Sequence, residues 1–329
     1  MKREVPVEQA VGMVLAHDLT QIIPGQFKGV AFKLGHVIRE EDIPRLLDMG
    51  KRHIYVLEPD EDELHENEGA LRMAKAVAGP GVRLSEVHEG KVILYAAAHG
   101  LLWVDVKTVT EMNRIPDIAV ITRTPLVDVA EGASIGAVRP IPLLVERAKV
   151  ERVEALAAGA GDRGVIDVLP YQPHRAAIVT TGTEIQSGRV ADRSGPVLRE
   201  KFARFGVEVI SQVFPGDEVE AIVTAIVEAC QHGASIVCVT GGMSVDPDDR
   251  SPGAIRRAAD TVIRYGMPLL PGSMTMLAYR GQTAIFGLPG AVIHDAKTGF
   301  DVLLPRVLAG MRITEDDIAR LGVGGWLNP

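Results

Sequence analysis

Thr240-Gly241-Gly242-Met243-Ser244-Val245-Asp246-Pro247-Asp248-Asp249 joins a glycine pair to three carboxylates within ten residues. The chemistry this suits is the holding of an anion together with a metal ion. Glycines lack a Cβ, so their backbone amides can approach a phosphate closely. The acids that follow would repel that phosphate unless a divalent cation lay between, and Mg²⁺ is commonly held by one or two carboxylates plus phosphate oxygens. The same residues also suit an ordinary turn with solvated acids at a helix start, because Gly and Asp are common in turns for local reasons. The decapeptide by itself leaves the two readings balanced.

Two further turns share the pattern. Thr180-Thr181-Gly182-Thr183-Glu184 ends one β-like run, and Gly287-Leu288-Pro289-Gly290 ends another. The run before the first motif, Ser235-Ile236-Val237-Cys238-Val239, is apolar on both alternations, as a central parallel strand buried on both faces requires. Open α/β sheets bind ligands outside the carboxyl ends of their strands, and parallel strands put those ends on one edge. Three glycine turns there define a cleft rich in backbone donors and hydroxyls. The chain has no Walker sequence, so the P-loop nucleotide reading lacks support.

The elements that must position these turns are legible in the periodicity. From Arg175 onward strand and helix patterns alternate, which predicts a parallel sheet covered by helices. Ser194 is placed to cap a helix with Pro196 in its first turn and Leu198, Phe202 and Phe205 on one face. Asp217 with Glu220 has the form of a capping box for a helix burying Ile222, Ile226 and Ala229. Ser251-Pro252 opens another helix, and Arg280-Gly281-Gln282 reads as a hairpin turn. Gly290 opens a long final helix through Leu308, whose start could also face an anion.

The first half reads as α+β and β-rich. Short β patterns lie around 11–19 and 37–38, a helix carries Ile43, Leu46 and Leu47, and a strand follows over 53–57. A helix bearing Leu71, Ala74 and Ala78 stops at Gly79-Pro80-Gly81. The runs 91–97 and 101–106 flank His99-Gly100 as an expected hairpin, and a helix spans about 150–158. The acidic run from Glu58 to Glu68 fits a linker and a helix start, and the scattered histidines lack the spacing of helical metal ligands. The boundary falls at Pro170-Tyr171-Gln172-Pro173, dividing 1–170 from 171–329.

Composition bounds the function. A length of 329 residues suggests two or three domains, and 47% apolar with 24% charged residues is ordinary for a globular chain. A net charge of −8 with only 4% aromatics argues against nucleic acid, which needs a basic footprint or stacking platforms. Two cysteines, Cys230 and Cys238, suggest neither a disulfide framework nor a thiolate metal site. The amino terminus lacks an apolar signal core and no run reaches about 18 apolar residues, so a cytoplasmic protein without a membrane partner is expected.

Several of these stretches are shared with a known family. The segment from about 175 to 295 resembles the molybdopterin-binding domain of molybdopterin adenylyltransferase and molybdopterin molybdotransferase. Asp192-Arg193-Ser194-Gly195-Pro196-Val197-Leu198 looks like the D-x-S-G-P-x-L helix start, and Thr240-Gly241-Gly242 like the family's glycine turn. Asp249 falls at the position of the acid downstream of that turn, Pro247 with Pro252 is similar to the adenylyltransferase's P-x-D-x-T-P, and Asp217 matches an aspartate of the molybdotransferase. Pro271-Gly272 and Gly287-Leu288-Pro289-Gly290 resemble the latter's closing part, and residues 1–20 its opening, so the chain as a whole is similar to two-part molybdopterin-binding proteins.

The resemblance implies a three-layer α/β/α domain with a mostly parallel sheet. Its strand-end cleft would take molybdopterin or its adenylate through Thr181, Gly182, Thr183, Glu184, Ser194, Gly195, Gly241, Gly242, Met243, Ser244, Pro289 and Gly290. Asp249 and Asp217 would be catalytic, and Asp249, Asp248 and Asp217 would hold Mg²⁺ during molybdate insertion or adenylyl transfer. Three positions depart from the molybdotransferase pattern: Thr183 replaces an aspartate, Ser273 a lysine and Ala291 an asparagine. Binding is therefore better supported than catalysis. The alternatives are a non-catalytic molybdopterin carrier or sensor and a relative of the nucleotide-pyrophosphatase-like domain of nicotinamide-nucleotide amidohydrolases. A homo-oligomer is expected, with molybdate and a molybdoenzyme as further partners.

Overall fold

The computed structural model describes residues 2–23, 27–57, 60–243 and 250–327. The chain divides into two compact units, Met1–Leu169 and Pro170–Pro329.

The first unit contains two separate hydrophobic clusters. One gathers Val5, Leu15, Phe32, Ile38, Leu46, Ile54 and Val56 from the opening stretch. There the strand Lys2–Pro6 pairs antiparallel with His53–Leu57, and Leu19–Ile23 pairs with Phe27–Phe32 in a hairpin. The other cluster packs the helices Glu66–Val77 and Arg147–Ala158 with a four-stranded antiparallel sheet and part of a three-stranded one. The expected hairpin about His99-Gly100 does not form. Val92–Ala96 pairs with Val82–Leu84 and Ser134–Pro140, whereas Gly100–Val104 pairs with Asp128–Val129 in a different sheet. Each strand is buried at three or more of its five positions, so each needs its own partners and core rather than the other's edge.

The second unit is an α/β/α sandwich. Its strands are β1 (Arg175–Thr180), β2 (Glu208–Val213), β3 (Ile236–Thr240), β4 (Thr261–Tyr265), β5 (Met276–Arg280) and β6 (Thr283–Leu288). They form one sheet in the order β2-β1-β3-β6-β5-β4. The pairs β1/β2, β1/β3 and β3/β6 are parallel, and β6/β5 and β5/β4 are antiparallel. All five residues of β3 are buried, as expected for the central strand of a sheet covered on both faces.

Strand alternation sorts the helices. Ala176, Ile178, Ile236 and Phe286 share one core with Leu198 and Phe202 of α1 (Ser194–Ala203) and Phe300 and Leu303 of α4 (Gly299–Leu308). Ala177, Val179, Val237 and Ile285 share the opposite core with Ile222 and Ile226 of α2 (Val219–Gln231) and Ala254 and Ile255 of α3 (Ser251–Ala258). A period of two in the strands thus becomes two helical layers. On the first face, Lys201 of α1 reaches Asp301 of α4 at 2.6 Å, with both side chains largely buried. The expected single helix from Gly290 to Leu308 is broken. A short turn, Ala291–His294, precedes α4, whose start is fixed by a capping box in which Thr298 and Asp301 exchange bonds. Among the described residues no helix is long and apolar enough to cross a membrane.

Candidate functional site

The parallel strands β1, β3 and β6 end side by side, Thr180 paired with Thr240 and Thr240 with Leu288. Their turns enclose a cavity of about 510 Å³. Thr180, Thr181, Thr240, Gly241, Gly242, Met243, Pro289 and Gly290 line it from these turns, and Ser194 from the start of α1. Ile185, Val190, Met274, Val292 and Ile293 also line it and make it largely apolar. Most of the residues expected to bind substrate are therefore brought together.

The glycine turns at its lining have unusual backbones. Gly182, Gly241 and Gly242 hold φ values of 121°, 86° and 53°, a region that side-chain-bearing residues rarely adopt. A Cβ on Gly241 would lie 2.6 Å from Thr181 Oγ1 and 2.7 Å from its carbonyl oxygen, so the position has neither conformational nor spatial room for another residue. Among the described residues the amides of Gly242, Met243 and Gly290 have no backbone acceptor. Backbone N–H groups left unpaired at a strand end are donors available to a ligand.

A chain of polar side chains underlies the turns. Asp192 Oδ1 accepts the amide and hydroxyl of Ser194 at 2.9 and 2.8 Å, and Asp192 Oδ2 accepts the Gly195 amide at 3.0 Å and Gln212 Nε2 at 2.6 Å. Burial would raise the Asp192 carboxyl, but the hydrogen bonds from Ser194, Gly195 and Gln212 outweigh it and hold the group below its ordinary value. Ser194 Oγ in turn lies 2.9 Å from Thr240 Oγ1, and Gln212 Nε2 also donates to Thr180 Oγ1 at 3.2 Å. On the other side Ser251 Oγ donates to the Gly241 carbonyl at 2.7 Å and meets Thr181 Oγ1 at 3.3 Å. Tyr265 Oη, from β4, donates to the Met243 carbonyl at 3.1 Å. The glycine turn is thus held from both faces of the sheet's edge.

Two expected caps are corrected. Ser194 lies inside α1 rather than at its cap. The capping work falls to the Asp192 carboxylate, which reaches two first-turn amides where a serine hydroxyl could serve one. Asp217 does not cap α2, whose cap position is Glu218 with no side-chain bond. Its Oδ2 instead accepts both the amide and the hydroxyl of Thr183 at 2.7 Å, holding the short helix Thr183–Gln186 beside the mouth.

Gly182, Thr183, Glu184 and Gly195 do not line the cavity; Thr183 and Glu184 are exposed to solvent. Ser244, Asp248 and Asp249, the remaining expected binding and metal-holding residues, lie outside the described residues. Among the described residues no group of three or more His, Cys, Asp or Glu side chains is placed to hold a metal ion. Asp217, with one oxygen spent on Thr183, is the expected metal ligand that the structure does describe.

Sequence reasoning missed Gln212 and Arg193. A lone glutamine in the apolar run that became β2 was a signal, because a polar side chain there must find a buried partner. Arg193 lies inside the helix-start motif and is the one ionisable side chain among the described residues that line the cavity.

Comparison with known proteins follows this division. Residues 177–309 match a family model described as a probable molybdopterin binding domain, and residues 4–58 match one described as a domain of unknown function. A molybdopterin adenylyltransferase of Pyrococcus furiosus is 27% identical over 145 residues, spanning 40% of this chain and 85% of that protein. A CinA-like protein of a Picosynechococcus species is 31% identical over 108 residues, 33% of this chain and 26% of that protein. A molybdopterin molybdenumtransferase of Staphylococcus aureus is 26% identical over 148 residues, 43% of this chain and 35% of that protein. The chain thus spans most of the adenylyltransferase but about a quarter to a third of the other two.

Proposed function

We propose that this chain is a molybdenum-cofactor biosynthesis protein that binds molybdopterin or its adenylate in the cavity at the ends of β1, β3 and β6. The observation that carries the reading is the set of backbone amides at Gly242, Met243 and Gly290, without a backbone acceptor among the described residues, around one largely apolar cavity. Such a site suits a planar, partly apolar molecule with an anionic end. The family match over the same residues supports it.

In this reading Asp249, Asp248 and Asp217 hold Mg²⁺, which would neutralise charge on a phosphoryl or molybdate group during adenylyl transfer or molybdate insertion. This chain's own described part binds and orients: the amides fix the anion, and Asp217 sets the Thr183 turn beside it. The reaction belongs in the cytoplasm, where Cys230 and Cys238 stay reduced. A homo-oligomer, with molybdate and a molybdoenzyme as partners, completes the proposal.

The test is turnover by the purified protein. With molybdopterin, Mg²⁺ and ATP, or with adenylylated molybdopterin and molybdate, a Mg²⁺-dependent product that Asp249→Ala abolishes supports catalysis. Tight binding without turnover assigns a carrier or sensor. Release of mononucleotides from a pyrophosphate substrate, without molybdopterin binding, selects the pyrophosphatase-like alternative.

A further inference from the structure

The hydroxyls at the cavity floor are wired in one direction. Ser194 gives its proton to Asp192, a carboxylate that can only accept, so the proton in the 2.9 Å contact between Ser194 and Thr240 belongs to Thr240. Ser251 gives its proton to the Gly241 carbonyl, so the proton in its contact with Thr181 belongs to Thr181. Thr240 and Thr181 therefore present lone pairs to the cavity, and Thr180, which accepts from Gln212, is the one floor threonine whose proton is uncommitted among the described residues. Two acceptors against one donor suit these hydroxyls to ring N–H or amino groups and leave the anion to the turn amides and the rim.

The rim has the opposite character. Arg193 lines the cavity, is exposed, and has no ion-pair or side-chain hydrogen-bond partner among the described residues. Its backbone is fixed between the Asp192 network and the first turn of α1, so the guanidinium starts from a rigid base. An arginine fork matches the oxygens of a phosphate, and its charge does not depend on pH in the working range.

We propose that Arg193 is the specificity-determining residue that selects a phosphate-bearing ligand, gripping the phosphate from the rim together with the turn amides while the floor hydroxyls take the donors of the ring. This rests on the molybdopterin reading above and adds to it the residue that distinguishes the phosphorylated from the dephosphorylated ligand.

The test uses the fluorescent, air-oxidised derivative of molybdopterin, with its phosphate and after phosphatase treatment, titrated into wild type, Arg193→Ala and Arg193→Lys. Wild type is expected to prefer the phosphorylated probe by about tenfold or more, the scale of one charge-assisted hydrogen bond. Arg193→Ala should narrow that preference by weakening only the phosphorylated probe, and Arg193→Lys should restore part of it. An Arg193→Ala variant that keeps the wild-type preference, or that weakens both probes alike, overturns the inference and leaves the binding function standing. Failure of wild type to bind either probe overturns the functional reading and this inference with it.

Discussion

Ser194 Oγ and Thr240 Oγ1 lie 2.9 Å apart, a buried contact that ties the first turn of α1 to the carboxyl end of β3. Through Ser194 the same contact reaches Asp192, and through Asp192 it reaches Gln212 on β2. With the bond from Gln212 to Thr180, three strands and a helix are thereby fixed around the cavity, and Asp192 and Gln212 do this without lining it.

Asp192→Asn tests that scaffold. The folded carboxyl lies below its ordinary value of 3.8, so it contributes stability above that value and loses it as the pH falls through the folded pKa. The amide variant should cost about 1 to 3 kcal/mol at neutral pH, the cost of disturbing hydrogen bonds to a partly buried charge. Urea titrations at pH 7 and near pH 3 should show the gap between wild type and variant narrowing in acid. A gap that stays constant or widens there would contradict the assigned role.

Asp217→Ala should loosen the mouth rather than the sheet. Removing the carboxylate frees the Thr183 amide and hydroxyl, so hydrogen exchange should quicken across Thr183–Gln186 and stay unchanged in β3. Unchanged exchange at Thr183 would show that Asp217 does not hold this turn.

Gly287→Ala probes the cavity wall from behind. A Cβ there would lie 2.5 Å from Met243 Cε and 2.8 Å from Ile255 Cδ1, so Met243 must shift. The overpacking should cost about 1 to 3 kcal/mol and alter ligand affinity through the displaced methionine. Thermal denaturation and binding titration read the two effects separately; a neutral change in both would mean that the wall yields freely.

The α/β part was legible because its signals are local. β3 is an unbroken apolar run bounded by turn residues, and the strand-to-glycine junctions at Gly182, Gly241 and Pro289 announced a common edge. What was not legible depends on contacts between distant residues. Asp217 and Glu220 have the spacing of a capping box, yet the carboxylate is drawn to Thr183, 34 residues away. The runs on either side of His99 have strand periodicity, but periodicity does not say which sheet each joins. Arg193 escaped notice because an exposed arginine at a helix start has an ordinary surface explanation until the cavity beside it is seen.

The central claim is that bare backbone amides at the glycine turn hold the cofactor, and Gly241→Ala tests it most directly. The added Cβ would meet Thr181 at 2.6 Å in a backbone region that alanine rarely adopts, moving those amides while leaving both hydrophobic cores untouched. Molybdopterin titrated into wild type and Gly241→Ala, with near-UV circular dichroism as the check on folding, should show tight binding to the first and affinity lower by about a hundredfold or more in the second. Equal affinity in a folded variant would contradict the account.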